Sequence, residues 1–387
     1  MKRRTLFLAA LSLLLPSCAL NKAEGLESYI AELPLFSGKD EVRVLQLTDL
    51  HWSIANIHGR QEAYVSALID NADPDFIFIT GDSVLGATRQ VASRLIDLID
   101  GKCIEKNIYW GTVLGNHEHQ GLYGNDYWRQ KVETAKRCIT HFFDDDLYGD
   151  TNCVVNLNDE MGKTYFQLYG IDSNSLILNE NMLTYDYDVI HDDQIEWYKK
   201  EAELAKTRNG GTYVPSIAYC HIVLWELEYA FRLAGLQGGT LEQGTGREGY
   251  PDAPGKIDAF SGKMKETYYL GVNTELSPTQ CWVGYKHSPF FEVCEQTGVQ
   301  GIFFGHDHAN SFAAKYRSPS SSRNEDTSIA IGYGLKTGDC LSYEDGMMGG
   351  TLSVLKKDGT STFYRAFQSY QDDYAAGAGY LEEAMFS

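Results

Sequence analysis

The alternation of apolar and polar positions divides the chain into short strand-like runs separated by helix-like ones. Val42–Leu47 alternates with a period of two and predicts a strand, whereas Arg60–Asn71 carries its apolar residues at helical spacing and halts at Asn71-Ala72-Asp73-Pro74. Phe76–Thr80 is a short apolar run of the kind buried on both faces, Val91–Asp100 reads as the next helix, and Asn107–Leu114 as the strand after it. Strand and helix alternate through this half, which predicts a largely parallel sheet covered by helices.

Beyond it, Tyr165–Ile171 is a strand candidate, and Asp192–Lys206 has helical spacing through Ile195, Trp197, Tyr198, Ala202 and Leu204. Ser216–Cys220 is a further strand, Ser288–Gly298 a helix closed by Gly298, and Val299–Phe304 a strand. Ser328–Gly332 and Gly350–Leu355 are expected as late strands of a second, partly antiparallel sheet. Four stretches keep no period. Residues 19–40 read as a spacer, and Ser318–Arg323 as a Ser-rich turn. Residues 235–263, with six glycines between Gly235 and Gly249, read as a long loop that is either a rim or lid or a surface insertion. The C-terminal tail, 371–387, contains Ala375–Ser387, a short docked helix or a frayed end.

At 387 residues the chain can bury a sizeable core, and 43% hydrophobic content is ordinary for one large globular domain. A formal charge of −20 excludes a protein that grips nucleic-acid backbones, which needs clustered Lys and Arg. It does not exclude an anionic substrate, because bound cations reverse the local field.

Residues 1–18 have a basic start, Lys2-Arg3-Arg4, an uncharged run Thr5–Leu15 too short to span a bilayer, and Leu15-Pro16-Ser17-Cys18. They predict an export signal and an extracytoplasmic protein. Leu15 three places before Cys18 also fits a bacterial lipoprotein signal, so a membrane-anchored lipoprotein and a plainly secreted chain both remain open. Of eight cysteines, seven follow Cys18, without a Cys-x-x-Cys, and the sequence does not assign pairs.

The candidate chemistry sits at strand ends. Asp49-Leu50-His51, Gly81-Asp82, Gly115-Asn116-His117-Glu118, Cys220-His221 and Gly305-His306-Asp307-His308 each follow a predicted strand. Imidazole, carboxylate and the Asn carboxamide oxygen suit Zn, Fe or Mn, and a carboxylate can bridge two ions. Two such ions can clamp both oxygens of an in-line phosphoryl displacement and acidify a water.

In this order, Asp-x-His, Gly-Asp, Gly-Asn-His-Glu, a lone His and Gly-His-x-His resemble the calcineurin-like metallophosphoesterase family, over roughly residues 41–355. The resemblance implies an α/β fold of the α+β-like kind, a four-layer αββα sandwich of two mixed β-sheets with flanking helices, here over 41–370. It implies one metal held by Asp49, His51, Asp82 and His308, and a second held by Asp82, Asn116, His221 and His306. His117 would act on the substrate phosphate and the leaving oxygen, with Asn116, His119 and Asn310 as candidate substrate contacts. The metals would be two ions drawn from Fe, Zn or Mn, and the activity that of an exported phosphomonoester hydrolase on small phosphate esters.

Asp193-Gln194-Ile195-Glu196-Trp197, His221-Ile222-Val223-Leu224 and Gly332-Tyr333-Gly334 further resemble phosphatases related to purple acid phosphatases. That subgroup has an iron-ligating Tyr three residues after the Gly-Asp aspartate, and here the position is Leu85. A phosphodiesterase of the same family is the enzymatic alternative, and a non-catalytic cell-surface binding protein the alternative of another class. His58, His141, His191 and His287 fall in no ligand pattern and read as loop or surface residues. Tyr123, Tyr127 and Trp128 read as core or rim packing. Gly162-Lys163-Thr164 lacks the earlier glycine of a phosphate-binding loop.

Overall fold

A computed structural model describes residues 19–22, 29–53, 60–85, 88–119, 124–142, 147–178, 185–234, 253–262, 283–308, 310–338, 347–370 and 376–386. The strands are β1 (Ala19–Lys22), β2 (Tyr29–Leu33), β3 (Glu41–Leu47), β4 (Phe76–Thr80), β5 (Tyr109–Val113), β6 (Cys153–Asn158), β7 (Thr164–Gly170), β8 (Leu176–Leu178) and β9 (Tyr185–Tyr187). They continue with β10 (Ser216–Tyr219), β11 (Lys256–Ser261), β12 (Val299–Phe304), β13 (Ala313–Arg317), β14 (Ile329–Tyr333), β15 (Gly349–Lys356), β16 (Ser361–Tyr370) and β17 (Ala376–Leu381). The helices are α1 (Arg60–Ala72), α2 (Arg89–Lys106), α3 (Asn116–His119), α4 (Gly124–Thr134), α5 (Asp192–Arg208), α6 (Trp225–Leu233) and α7 (Phe290–Glu295).

A six-stranded sheet has the order β17-β16-β15-β3-β4-β5, and a nine-stranded sheet the order β1-β2-β6-β7-β10-β12-β14-β13-β11. In the first, β3, β4 and β5 run parallel and the remaining strands antiparallel. In the second, β7, β10, β12 and β14 form the parallel centre. Both sheets are therefore mixed, as the resemblance implies.

Strand alternation sorts side chains between the layers. In β4, Phe76 and Phe78 face the second sheet, while Ile77 and Ile79 face helices α1 and α2. Phe78 stacks on Tyr219 of β10 with ring centroids 4.8 Å apart, and Phe303 of β12 meets Phe363 of β16 edge-on at 4.9 Å. These aromatics, with Val42, Val44, Val155, Leu168 and Ile217, form the core between the sheets. The outer face of the nine-stranded sheet packs on α5, α6 and α7 through Trp197, Tyr198, Leu227 and Phe290. Two sheets inside and helices outside make the four layers.

Three expectations are corrected. The spacer at 19–40 contains β1 and β2, and β2 lies parallel to β6 with Tyr29 opposite Cys153, so the fold begins before residue 41. The tail is neither helical nor frayed over Ala376–Leu381, which pairs with β16 as an edge strand. The two late strands belong to different sheets: β14 lies between β12 and β13, whereas β15 lies beside β3. In the Gly-rich stretch, Lys256–Ser261 is a strand antiparallel to β13, while 235–252 and 263 lie outside the described residues, as do 1–18 and 371–375.

Candidate metal centre

The parallel strands of each sheet end level, so residues just past them meet. Leu47 pairs with Ile79, and Thr80 with Val113; Asp49, Asp82 and Asn116 lie two or three residues beyond. In the facing sheet Tyr219 pairs with Phe303, and His221 and His306 follow at similar spacing. The carboxyl ends of parallel strands are where open α/β sheets place ligands.

Two groups of side chains result, Asp49, His51, Asp82 and His308 in one, and Asp82, His221 and His306 in the other, each with donor atoms within 4.8 Å of one another. Asp82 is common to both. Its Oδ2 lies 3.1 Å from His221 Nε2, 3.4 Å from His51 Nε2 and 3.8 Å from His117 Nε2. Asn116 Oδ1 is 3.1 Å from His221 Nε2, and Asp49 Oδ1 is 3.2 Å from His308 Nε2. All seven residues assigned as ligands from the sequence are brought together.

The backbone is bent to achieve this. Asp49, His51, Asp82 and His306 have φ of 50°, 44°, 48° and 76°. Left-handed conformations cost non-glycine residues of order 1–3 kcal/mol each and cluster where a site demands them. At Gly81, with φ of 80°, a Cβ would lie 2.5 Å from the Gly115 nitrogen, and at Gly115 it would lie 2.3 Å from Asp82 Oδ1. The two turns touch through their glycines.

Hydrogen bonds set the side chains. His221 Nδ1 faces the Thr80 carbonyl at 2.8 Å, which directs Nε2 toward Asp82 and Asn116. Asp49 accepts from the His306 N–H at 2.9 Å and the Thr48 hydroxyl at 2.8 Å, and Asp82 Oδ1 accepts from the His117 N–H at 2.8 Å. The sequence reading passed over three contributors. Glu118 accepts from Asp82 N at 3.0 Å, Ser83 N at 2.5 Å and Gly115 N at 2.9 Å, tying the second turn to the third. Ser173 Oγ accepts from the N–H groups of His221 and Ile222, and Tyr187 stands edge-on to His306 at 4.3 Å. Glu118 alone had a local signal, its place inside the Gly-Asn-His-Glu motif.

The electrostatics fit cations. Asp49 and Asp82 are 0% and 1% exposed. Burial pushes both carboxyls up, but His308 beside Asp49 and His221 beside Asp82 hold them below the usual range. Burial lowers His221 as well, yet Asp82 raises it to about 10. Burial, with His308 and His221 respectively as neighbours, lowers His51 and His306 and favours the neutral imidazole that ligates. Buried carboxylates surrounded by imidazole nitrogens form a donor set of the Zn, Fe or Mn type.

Asn310 is buried, with Oδ1 accepting from Phe312 N at 2.9 Å and Nδ2 directed at Asp307, so it caps its own turn. His119 ends α3, and its side chain lies outside the described residues, as do His58 and Tyr123. Tyr127 bonds Ser93 across α4 and α2, and Trp128 is core. Leu85, whose N–H pairs with the Trp52 carbonyl, has no ligating atom. Cys103, Cys138, Cys153, Cys220 and Cys294 are free thiols. Among the described residues no helix is long and apolar enough to cross a membrane.

Residues 42–310 match the family described as calcineurin-like phosphoesterase, and the chain belongs to that family. An Arabidopsis thaliana protein named probable inactive purple acid phosphatase 28 is 24% identical over 228 residues, covering 50% of this chain and 57% of its own, so the chain spans less than two thirds of that relative. Probable inactive purple acid phosphatase 14 of the same plant is 21% identical over 313 residues, covering 72% of this chain and 69% of its own. Among solved structures, a dimetal phosphatase from Danio rerio aligns with a TM-score of 0.47 and 10% identity over 83% of this chain and 95% of the other.

Proposed function

We propose that the chain is an exported, dimetal-dependent hydrolase of small phosphomonoesters. The observation that carries this reading is the pair of ligand groups sharing Asp82, with the partly exposed His117 ring against the same carboxylate. Asp49, His51, Asp82 and His308 would hold one ion, and Asp82, Asn116, His221 and His306 the other. Ions so placed supply charge stabilisation for a phosphoryl group and a water acidified to near-neutral pKa.

The chain's own groups do the rest. Backbone contact with Asp82 fixes the start of α3, and the His117 side chain, 18% exposed, stands at the border of the buried cluster where an ester oxygen can reach it. A positioned acid of this kind contributes about 10²–10⁴-fold in rate. Leu85 in place of a tyrosinate ligand predicts a protein without purple colour. Export rests on the pattern of residues 1–18, with lipidation at Cys18 as its anchored form.

A second reading, a metal-binding but non-catalytic domain, is favoured by the word inactive in the names of both plant relatives. Phenol release from phenyl phosphate and from bis-phenyl phosphate, before and after chelation, separates the readings. Chelator-sensitive release from the monoester, lost in His117→Ala with metal content retained, is the expected result. Preferential cleavage of the diester selects a phosphodiesterase. Bound metal with no release from either ester selects the non-catalytic reading.

A further inference from the structure

Glu226, His287 and Glu292 form a third group whose donor atoms lie within 4.8 Å of one another, apart from the dimetal cluster. Glu226 is on the first turn of α6, His287 precedes α7, and Glu292 is on the first turn of α7. His287 Nε2 lies 2.5 Å from Glu226 Oε1 and 3.5 Å from Glu292 Oε1, so one imidazole nitrogen faces two carboxylates. The sequence expectation of a loop or surface histidine holds, since His287 stands exposed before α7, and the fold adds two carboxylate partners that no local pattern announces.

Two carboxyl groups share one imidazole nitrogen in this group. The Glu226 side chain is 2% exposed, and its Oε2 has no hydrogen-bond partner among the described residues. The Oε2 of Glu292 is likewise buried and unpartnered. An orphaned carboxylate oxygen in a buried position is costly, and an ion pair with one imidazolium leaves both of these oxygens unsatisfied.

We propose that Glu226, His287 and Glu292 bind a divalent cation of the Zn or Mn class, separate from the two ions at Asp82. Two carboxylates and one imidazole are a donor set for such ions, and three protein ligands leave positions for water. Donors about 2.0 Å from a tetrahedral ion stand about 3.3 Å apart, so the 3.5 Å pair needs little change. The 2.5 Å pair must open, and the His287 side chain, 38% exposed, has room to turn. Binding releases the imidazole proton, and carboxylates that ligate through both oxygens would also satisfy the orphaned Oε2 atoms. It also clips α6, which directly follows the His221-Ile222-Val223-Leu224 turn, to α7, so the ion would brace the segment carrying His221.

The test compares metal content after saturation with Zn²⁺ or Mn²⁺ and removal of excess, in the full chain and in His287→Ala and Glu292→Gln. Both replaced residues lie toward the surface, and neither belongs to the dimetal cluster. The expected result is the loss of one ion per chain in each variant, with phosphate release from phenyl phosphate, where the full chain shows it, retained. Titration calorimetry of the same proteins should show one class of sites missing. Metal content equal to that of the full chain in both variants would overturn the assignment, whatever the dimetal cluster holds. The count is a difference between proteins, so it does not depend on the chain being catalytic.

Discussion

Replacing Glu118 tests how the centre is assembled. Its carboxylate is buried and accepts three backbone N–H bonds, two at Oε2 from Asp82 and Gly115 and one at Oε1 from Ser83. Hydrogen bonds to a charged group are worth about 1.5–3 kcal/mol each. Burial and the neighbouring Asp82 push the Glu118 carboxyl up, and removing its charge returns part of that cost. Glu118→Ala should therefore cost about 4–6 kcal/mol, against a whole-domain stability of about 5–15 kcal/mol. Glu118→Gln keeps an oxygen for Asp82 and Gly115 but turns an NH₂ toward Ser83, for a cost of about 1.5–3 kcal/mol. Urea unfolding of the chelated proteins, followed by circular dichroism, measures both changes without the contribution of bound ions. Elemental analysis after reloading should show metal lost from the alanine variant, because Asp82 is no longer held. If both variants lie within about 0.5 kcal/mol of the parent, a range typical of uninvolved surface positions, the clamp does not carry the turn.

Gly115→Ala puts a Cβ 2.3 Å from Asp82 Oδ1, so competition with a chelator should read at least about tenfold weaker metal binding, while overpacking costs stability only about 1–3 kcal/mol. Unchanged affinity would mean that the two turns are not in contact. Burial pushes the Cys153 thiol up to about 12, and Cys220 and Cys294 are raised in the same way. Iodoacetamide at about pH 8 should leave these three unmodified in the native protein and alkylate them only after unfolding, as peptide mapping would show. Native-state alkylation, or a disulfide at any of them, would contradict the packing.

The five ligand motifs were legible because the site imposes residue types at strand ends, and both signals are local. Apolar runs such as Phe76–Thr80 mark a strand, and the Asp, His or Asn just beyond it marks what the strand delivers. Boundaries moved for an equally local reason: α2 extends from Arg89 to Lys106, capped by Thr88 and by Asn107 in a left-handed conformation, well past the apolar stripe that announced it. The alternation also conveyed a parallel βα organisation. It did not convey which sheet each late strand joins.

That choice depends on pairings such as Tyr29 with Cys153 or Thr351 with Gln46, made between segments far apart in the chain. The Ala-Gly-Ala-Gly-Tyr-Leu strand at 376–381 has almost no strand propensity of its own and exists because the edge of β16 needs hydrogen bonds. The same distinction separates the two clusters. The set around Asp82 could be read in order along the chain because each of its five motifs directly follows its own strand. The Glu226, His287 and Glu292 group was invisible, since its members sit on two helices and a turn whose meeting is decided only when α6 and α7 pack on one face of the sheet. Sequence by itself determined the residues that strands present at their ends, because periodicity and residue chemistry are written locally; tertiary structure alone decided strand partners, the Glu118 clamp and the third cluster, because each depends on surfaces that come into contact only on folding.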